Sequence, residues 1–125
     1  MAVPRISKEE LKQRLDNPDR TTLPTILDAR LKYPYEHSTI RLPGALRIPL
    51  DALAQSSLPR DRDVIAYDSD PNELASSRFA AALIRLGFRA SALKGGIPEW
   101  IAANFPIETK EAPRQAPPEP GSLKG

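Results

Sequence analysis

The sequence predicts an α/β fold, a small and mainly parallel sheet with helices on both faces. Short apolar runs at residues 25–29, 64–67 and 91–93 are typical of buried strands, and stretches with helical patterns separate them. Strands that alternate with helices favour parallel pairing through right-handed crossovers. The chain has 125 residues, which is enough for one domain with a single core.

Local signals place the individual elements. Ser7 and Glu10 form a capping box at the start of a first helix, and Pro18 lies just beyond its end. Gly87 closes a longer apolar helix. The predicted elements are a helix from about residue 7 to 15, strands at 25–29 and 45–48, an irregular segment at 33–41, helical turns at 51–55, a strand at 64–67, a helix at 71–86, a strand at 91–93 and a helix at 98–103.

The composition argues against several classes of function. The net charge is +2 and no block of like charge stands out, so we expect no nucleic acid partner. No apolar run approaches about 18 residues, which predicts no membrane span. The first residues lack the apolar stretch of a signal peptide, so a cytoplasmic location is expected. The sequence contains no cysteine, which excludes disulfides and thiolate metal ligands within it.

Proline marks the C-terminal boundary of the predicted domain. Four of the 14 prolines lie within residues 113–120, where apolar side chains are scarce. Such a segment cannot offset the entropy of ordering itself. We therefore predict one domain over residues 5–108 and a disordered, Pro-rich tail over residues 109–125. The tail is interpreted as a solvated linker or as a polyproline ligand for a partner domain.

The loop after the strand at 64–67 holds the candidate site. It reads Asp68-Ser69-Asp70-Pro71-Asn72-Glu73. A strand that delivers a loop onto a helix N-terminus builds an anion pocket in many α/β proteins. Here the loop carries up to three carboxylates, and two like charges about 4 Å apart cost roughly 4 kcal/mol at an effective dielectric of about 20. We therefore expect the loop to repel anions, with the Asp68 carboxylate occupying the cradle itself.

The simplest interpretation of this loop is structural. Asp70 caps the following helix, Pro71 fills its first position, and Glu73 completes an Asp-x-x-Glu capping pair.

Two catalytic or metal-binding alternatives stay open. Asp68 and Asp70 after a buried strand resemble the start of aspartate-nucleophile phosphatases that use magnesium, but Pro71 stands where those have Thr or Val. Asp68, Asp70 and Asn72 also match the first three ligands of a calcium loop, although Glu73 replaces its glycine. We predict neither a bound metal nor a cofactor.

Motifs at three places resemble those of a known family. Residues 27–30 read Leu-Asp-Ala-Arg, residues 40–49 read Ile-Arg-Leu-Pro-Gly-Ala-Leu-Arg-Ile-Pro, and residues 93–100 read Leu-Lys-Gly-Gly-Ile-Pro-Glu-Trp. In order and spacing they resemble the Asp-x-Arg strand end, the His-Ile-Pro-Gly-Ala turn and the Gly-Gly-x-x-x-Trp ending of rhodanese-like domains. The resemblance covers residues 6–107 and implies the rhodanese-like fold.

The chain departs from this family at the residue that matters for catalysis. Active rhodanese-like domains place a cysteine after the strand, and its thiolate carries sulfur as a persulfide; Asp68 occupies the matching position. Ser76 matches a serine of the family, whereas Ala75 stands where an arginine is common. A branch of the family reads Cys-x-Cys-Pro-Asn-Glu where this chain has two aspartates. Because a carboxylate forms no stable persulfide, we predict no sulfurtransferase activity.

The resemblance implies a non-catalytic role. Inactive family members serve as interaction domains, so we expect a binding, regulatory or accessory module, in which Asp28 and Arg30 pair with each other or brace the loop. Arg41, Arg47 and Arg78 are candidates for the pocket rim. The alternatives are a metal-assisted phosphohydrolase based on Asp68, or a chain classed with thiosulfate sulfurtransferases by fold only. The protein partner, the oligomeric state and whether the two aspartates are natural stay open.

Overall fold

A four-stranded parallel sheet forms the centre of the domain. The computed structural model describes residues 3–70 and 72–110. The strands are β1 (Arg5–Ile6), β2 (Thr25–Asp28), β3 (Ile40–Arg41), β4 (Val64–Tyr67), β5 (Ala90–Leu93) and β6 (Glu108–Thr109). The parallel sheet has the order β1-β5-β4-β2, and β3 pairs with β6 in a separate antiparallel ribbon. The predicted α/β fold with a mainly parallel sheet is therefore confirmed.

Helices cover both faces of the sheet. They are α1 (Lys8–Asp16), α2 (Lys32–Glu36), α3 (Leu74–Arg85) and α4 (Gly96–Ala102), with 3₁₀ helices at Arg20–Thr22 and Leu50–Gln55. The Ser7 Oγ accepts a 3.0 Å hydrogen bond from the Glu10 N–H, as the capping-box pattern predicts. Among the residues that the structure describes, no helix is long and apolar enough to cross a membrane.

The core consists of two layers that β4 separates. Its side chains alternate between them, because successive strand residues point to opposite faces. Ile65 and Tyr67 face a cluster with the fully buried Trp100 of α4. Val64 and Ala66 face the second cluster, to which α3 contributes. All four β4 residues are buried, which explains why this strand reads as an unbroken apolar run.

Two predictions in the segment between β2 and β4 are wrong. Residues 33–41, predicted to be irregular, contain most of α2 and all of β3. Residues 45–48 form no strand, and only Leu46 makes a single bridge, to Leu27. Before Leu46 the chain makes a tight turn, in which the Ala45 N–H donates to the Leu42 carbonyl at 3.1 Å. After Leu46 the Asp28 carbonyl, which a longer ladder would use, accepts from the Arg47 Nη1 at 3.1 Å.

The predicted tail lies largely outside the described residues, which end at Lys110. Thr109 belongs to β6, and the Lys110 N–H donates a 2.8 Å hydrogen bond to the Thr39 carbonyl. The boundary between residues 108 and 109 stays a prediction.

Candidate functional site

Asp68 lies at the carboxyl end of β4 with its side chain buried, 2% exposed. Its Oδ2 accepts a 2.7 Å hydrogen bond from the Ser76 N–H in the first turn of α3. Its Oδ1 accepts a 3.1 Å hydrogen bond from the Asp70 N–H. The carboxylate therefore occupies the helix N-terminus, which is the cradle that the sequence assigned to it.

The backbone of Asp68 is held from the opposite side. The Ile97 N–H donates a 2.9 Å hydrogen bond to the Asp68 carbonyl. A Cβ on Gly96 would lie 2.1 Å from that oxygen, so the contact requires a glycine. The Gly-Gly motif thus fixes where the loop begins.

Burial controls the protonation of Asp68. Loss of water around the carboxyl raises its pKa, and the nearby charge of Asp70 adds to this. The N–H groups of Ser76 and Asp70 lower the pKa only in part, so the net shift is upward. The helix N-terminus was expected to favour the charged carboxylate, but burial outweighs it.

The predicted helix cap at Asp70 is wrong. The Asp70 Oδ1 accepts from the Asn72 N–H at 2.8 Å, and the Asp70 carbonyl accepts from the Glu73 N–H at 2.9 Å, so Asp70 closes a turn instead. The helix begins at Leu74, and Glu73 makes no side-chain capping bond. Asp68 performs the capping that the sequence pattern suggested for Asp70. The predicted role of Pro71 falls outside the described residues.

Glu73 connects the loop to two other parts of the domain. Its carboxylate accepts hydrogen bonds from the Arg5 Nε at 2.8 Å and the Arg5 Nη2 at 2.7 Å, and from the Gly95 N–H at 3.2 Å. These partners lower the pKa of Glu73. The backbone φ of Glu73 is 57°, in the left-handed region that non-glycine residues rarely adopt. The ion pair therefore holds a strained residue in place at the start of α3.

Asp28 and Arg30 form a buried ion pair next to the site. The Arg30 Nη2 lies 2.6 Å from the Asp28 Oδ2, and both side chains are 2% exposed. The Tyr67 hydroxyl donates to the same Oδ2 at 2.9 Å and accepts from the Leu42 N–H at 3.3 Å. Burial and the Asp28 charge raise the pKa of Tyr67. Arg30 also donates to the Ile40 carbonyl at 3.0 Å, so the pair braces the segment at 40–42.

The remaining predicted residues divide between the loop and its surroundings. Ser76 is fully buried, and its hydroxyl donates to the Glu73 carbonyl at 3.3 Å. Of the three candidate arginines, Arg78 reaches the site. Arg41 instead pairs with Glu108 at 3.2 Å, and Arg47 donates to the Asp28 carbonyl at 3.1 Å.

A cavity of about 420 Å³, here called the Asp68 pocket, opens beside the loop. Leu31 and Leu74 flank it and are 65% and 62% exposed. These two side chains, which no sequence motif marks, make the mouth of the pocket apolar. Its lining consists of Leu31, Pro34, Asp68, Ser69, Asp70, Leu74, Ala75 and Arg78.

The donor set does not favour a metal at this loop. In the ranges 3–70 and 72–110, no three His, Cys, Asp or Glu side chains are grouped so that they could hold an ion. Both Asp68 oxygens already accept backbone N–H groups. The calcium-loop spacing and the phosphohydrolase alternative therefore gain no support from the geometry.

Comparison with known proteins agrees with the fold and the motifs. The family model described as the rhodanese-like domain matches residues 7–103. A sulfurtransferase from Allochromatium vinosum is 31% identical over 109 residues, which cover 85% of this chain and 95% of that protein.

Solved structures give the same result. The solution structure of a rhodanese-like domain from Anabaena sp. is 29% identical, with a TM-score of 0.68 over 95% of this chain and 90% of that chain. A full-length protein from Lactobacillus plantarum shares the fold at 22% identity, with a TM-score of 0.73 over 85% of this chain and 88% of that chain. The chain belongs to the rhodanese-like domain family.

Proposed function

We propose that this rhodanese-like domain transfers no sulfur and acts as a binding, regulatory or accessory module. The observation that carries the proposal is the environment of Asp68, which stands where the family resemblance places the cysteine. Its buried carboxylate already accepts the Ser76 and Asp70 N–H groups. A cytoplasmic location belongs to the same proposal and stays a prediction from the sequence.

Sulfur transfer by the family's route has two requirements that this site does not meet. The first is a thiolate that accepts sulfur and forms a persulfide, which a carboxylate does not do. The second is a set of free N–H groups for an incoming anion such as thiosulfate. Here the Ser76 N–H is paired with Asp68, and Asp70 adds a second negative charge beside it.

The surface around the loop supports a binding role. Leu31 and Leu74 are exposed at the mouth of the Asp68 pocket, and Arg78 lies at the same cavity. Exposed apolar side chains rimmed by charged groups are typical of interaction sites. The pocket thus retains a shape suited to binding although its acidic loop disfavours anionic substrates.

The proposal is tested by a sulfurtransferase assay on the purified full chain. With thiosulfate as donor and cyanide as acceptor, we expect thiocyanate to form no faster than in a sample without protein. Thiocyanate formation that rises in proportion to protein concentration contradicts the proposal.

A parallel assay addresses the phosphohydrolase alternative. We expect no hydrolysis of p-nitrophenyl phosphate with or without magnesium. The decisive result is magnesium-dependent hydrolysis that is abolished in Asp68→Ala but intact in Asp51→Ala. It would establish the phosphohydrolase alternative and overturn the proposal that the domain is a non-catalytic module.

A further inference from the structure

The last described residue, Lys110, contacts α2 through its side chain, and the direction of the chain up to this residue is defined. β6 runs antiparallel to β3, with Thr109 opposite Ile40. The Lys110 N–H donates to the Thr39 carbonyl, so up to this residue the chain runs back along β3 toward the segment that joins β3 to α2. The Lys110 Nζ donates to the Tyr35 carbonyl and lies 3.8 Å from the centroid of the Tyr35 ring. The last described residue is therefore anchored beside Thr39 by its backbone and on α2 by its side chain.

The same helix leads to the Asp68 pocket. Pro34, next to Tyr35, and Leu31 at the start of α2 both line the pocket. The distance along the helix axis from Tyr35 to Leu31 is about 6 Å, at a rise of about 1.5 Å per residue. The pocket mouth is thus about one helical turn away from the Lys110 ammonium group, which contacts Tyr35.

The C-terminal segment, residues 111–125, has a composition that complements this pocket. It reads Glu-Ala-Pro-Arg-Gln-Ala-Pro-Pro-Glu-Pro-Gly-Ser-Leu-Lys-Gly. Four residues in a polyproline conformation would span about 12 Å, at about 3.1 Å each, which would allow the long side chain of Arg114 to approach the pocket. A guanidinium at this edge would complement the charge of Asp70, and the carboxylate of Glu119 would complement that of Arg78.

The prolines of the segment match the apolar mouth. Pro117 and Pro118 lie between Arg114 and Glu119 in sequence, and the exposed Leu31 and Leu74 line the same pocket as Asp70 and Arg78. Proline-rich chains lose little conformational entropy on docking, because their extended conformation is largely preformed. Covering this mouth removes apolar surface from water without any partner protein.

We propose that residues 111–125 bind the Asp68 pocket of their own chain and compete there with an external partner. The inference rests on the proposed function, since it assigns a built-in regulator to the same binding pocket. It is independent of sulfur chemistry, because it concerns only the contact between the segment and the pocket.

The test uses the full chain with one spin label. Because the sequence has no cysteine, Gln115→Cys provides a unique attachment site for a nitroxide. In the ¹⁵N-labelled protein with the active nitroxide, we expect the amide signals of Leu31 and Leu74 to lose most of their intensity. The reference is the same sample after the nitroxide has been reduced. The amide of Asp61 serves as the internal reference. It precedes the N-terminal end of β4, whereas the pocket lies at the C-terminal end, so we expect it to keep more of its intensity.

A matched pair of charge reversals tests the specificity of the contact. In the labelled chain, Arg114→Glu places a carboxylate next to Asp70, and we expect the Leu31 and Leu74 signals to recover. Lys124→Glu makes the same change of charge ten residues later, outside the stretch 114–119 whose side chains carry the proposed contact, and we expect the signals to stay weak.

Three outcomes overturn the inference. Full intensity at Leu31 and Leu74 in the labelled chain shows that the segment does not reach the pocket. Equal effects of the two charge reversals show that the contact is not specific. The third outcome uses a dilute mixture of nitroxide-labelled chains without ¹⁵N and ¹⁵N-labelled chains without nitroxide. Signal loss at Leu31 and Leu74 in this mixture assigns the contact to a second copy of the chain. Thiocyanate formation, by contrast, would overturn the proposed function and leave this result standing.

Discussion

A 2.7 Å hydrogen bond from the Ser76 N–H to the Asp68 Oδ2 joins the first turn of α3 to the end of β4. The carboxylate of the chain itself is thereby the anion at this helix N-terminus. In a rhodanese-like domain, this position is where the family resemblance places a sulfur-carrying cysteine. Under the proposed function, this hydrogen bond fills the helix N-terminus that an anionic substrate would otherwise occupy.

Removing the Asp68 side chain is expected to open the cradle to an external anion. In Asp68→Ala, the Ser76 N–H loses its acceptor, and a helix N-terminus with free N–H groups attracts oxyanions. Titration with sulfate, followed by NMR, should shift the Ser76 amide of this variant in a saturable way. The unmodified protein should show no such shift.

Asp70→Ala is the matched control for that titration. It removes one charge from the same loop but leaves the Asp68 carboxylate in place, so we expect no saturable shift at Ser76. A saturable shift in the unmodified protein, or in Asp70→Ala alone, contradicts occupancy of the cradle by Asp68.

The raised pKa of Asp68 predicts a specific pH dependence of stability. Because burial raises the pKa above the ordinary 3.8, the folded state binds the proton more tightly than the unfolded state. This contribution to the free energy of unfolding is present at low pH and is lost as pH rises from 3.8 through the folded pKa. Asp68→Asn has an amide in place of this carboxyl, so its stability lacks this pH-dependent contribution.

Urea unfolding of both proteins across this range measures the effect. The stability of the unmodified protein minus that of Asp68→Asn should fall with rising pH and then level off. The opposite contribution of Glu73, whose pKa is lowered, is common to both proteins and cancels in the difference. A difference that stays flat or rises with pH shows that burial does not dominate at Asp68.

The contact between Gly96 and Asp68 is tested by a pair of glycine substitutions. Gly96 and Gly44 have φ values of 62° and 72°, so Ala at either position costs about 1–2 kcal/mol for the left-handed backbone. A Cβ at Gly96 also meets the Asp68 carbonyl, whereas a Cβ at Gly44 has nothing within 4 Å. We expect Gly96→Ala to be roughly 1–3 kcal/mol less stable than Gly44→Ala in urea unfolding.

Equal losses of stability for the two alanine variants would mean that the Gly96 contact is unimportant. The NMR spectrum gives a second readout, since displacement of Asp68 in Gly96→Ala should move the Ser76 amide, and Gly44→Ala should not.

The buried network around Asp28 predicts a strong effect of one hydroxyl. In Tyr67→Phe, the Asp28 Oδ2 loses a donor and the buried Leu42 N–H loses its acceptor. Leaving buried polar groups unpaired costs about 1–3 kcal/mol, which chemical denaturation measures. Tyr35→Phe deletes the same atom from a half-buried ring and should cost less than about 0.5 kcal/mol. A loss in Tyr35→Phe as large as that in Tyr67→Phe counts against the network.

The sequence predicted the long elements of the fold because their signals are local. The apolar run of β4 and the helical pattern of α3 each appear within a few residues. The strands β1, β3 and β6 have two residues each, which is too short for any periodic pattern. These strands form because they pair with strands that are distant in the sequence, and no local sequence pattern indicates that pairing.

The same distinction separates the predicted and the missed parts of the site. The placement of Asp68 at a helix N-terminus follows from the order of strand, loop and helix. The capping pattern at Asp70 and Glu73 was misleading, because Glu73 pairs with Arg5, 68 residues away. A local motif cannot reveal that its glutamate is already engaged by a distant arginine.

Intact-mass analysis of the purified chain after incubation with thiosulfate, or with another sulfane sulfur donor, tests the central claim most directly. Because the Asp68 carboxyl stands where active family members have a sulfur-carrying cysteine, we expect the mass of the protein to stay unchanged. A covalent addition of one sulfur atom, reversed by cyanide with release of thiocyanate, would contradict the account.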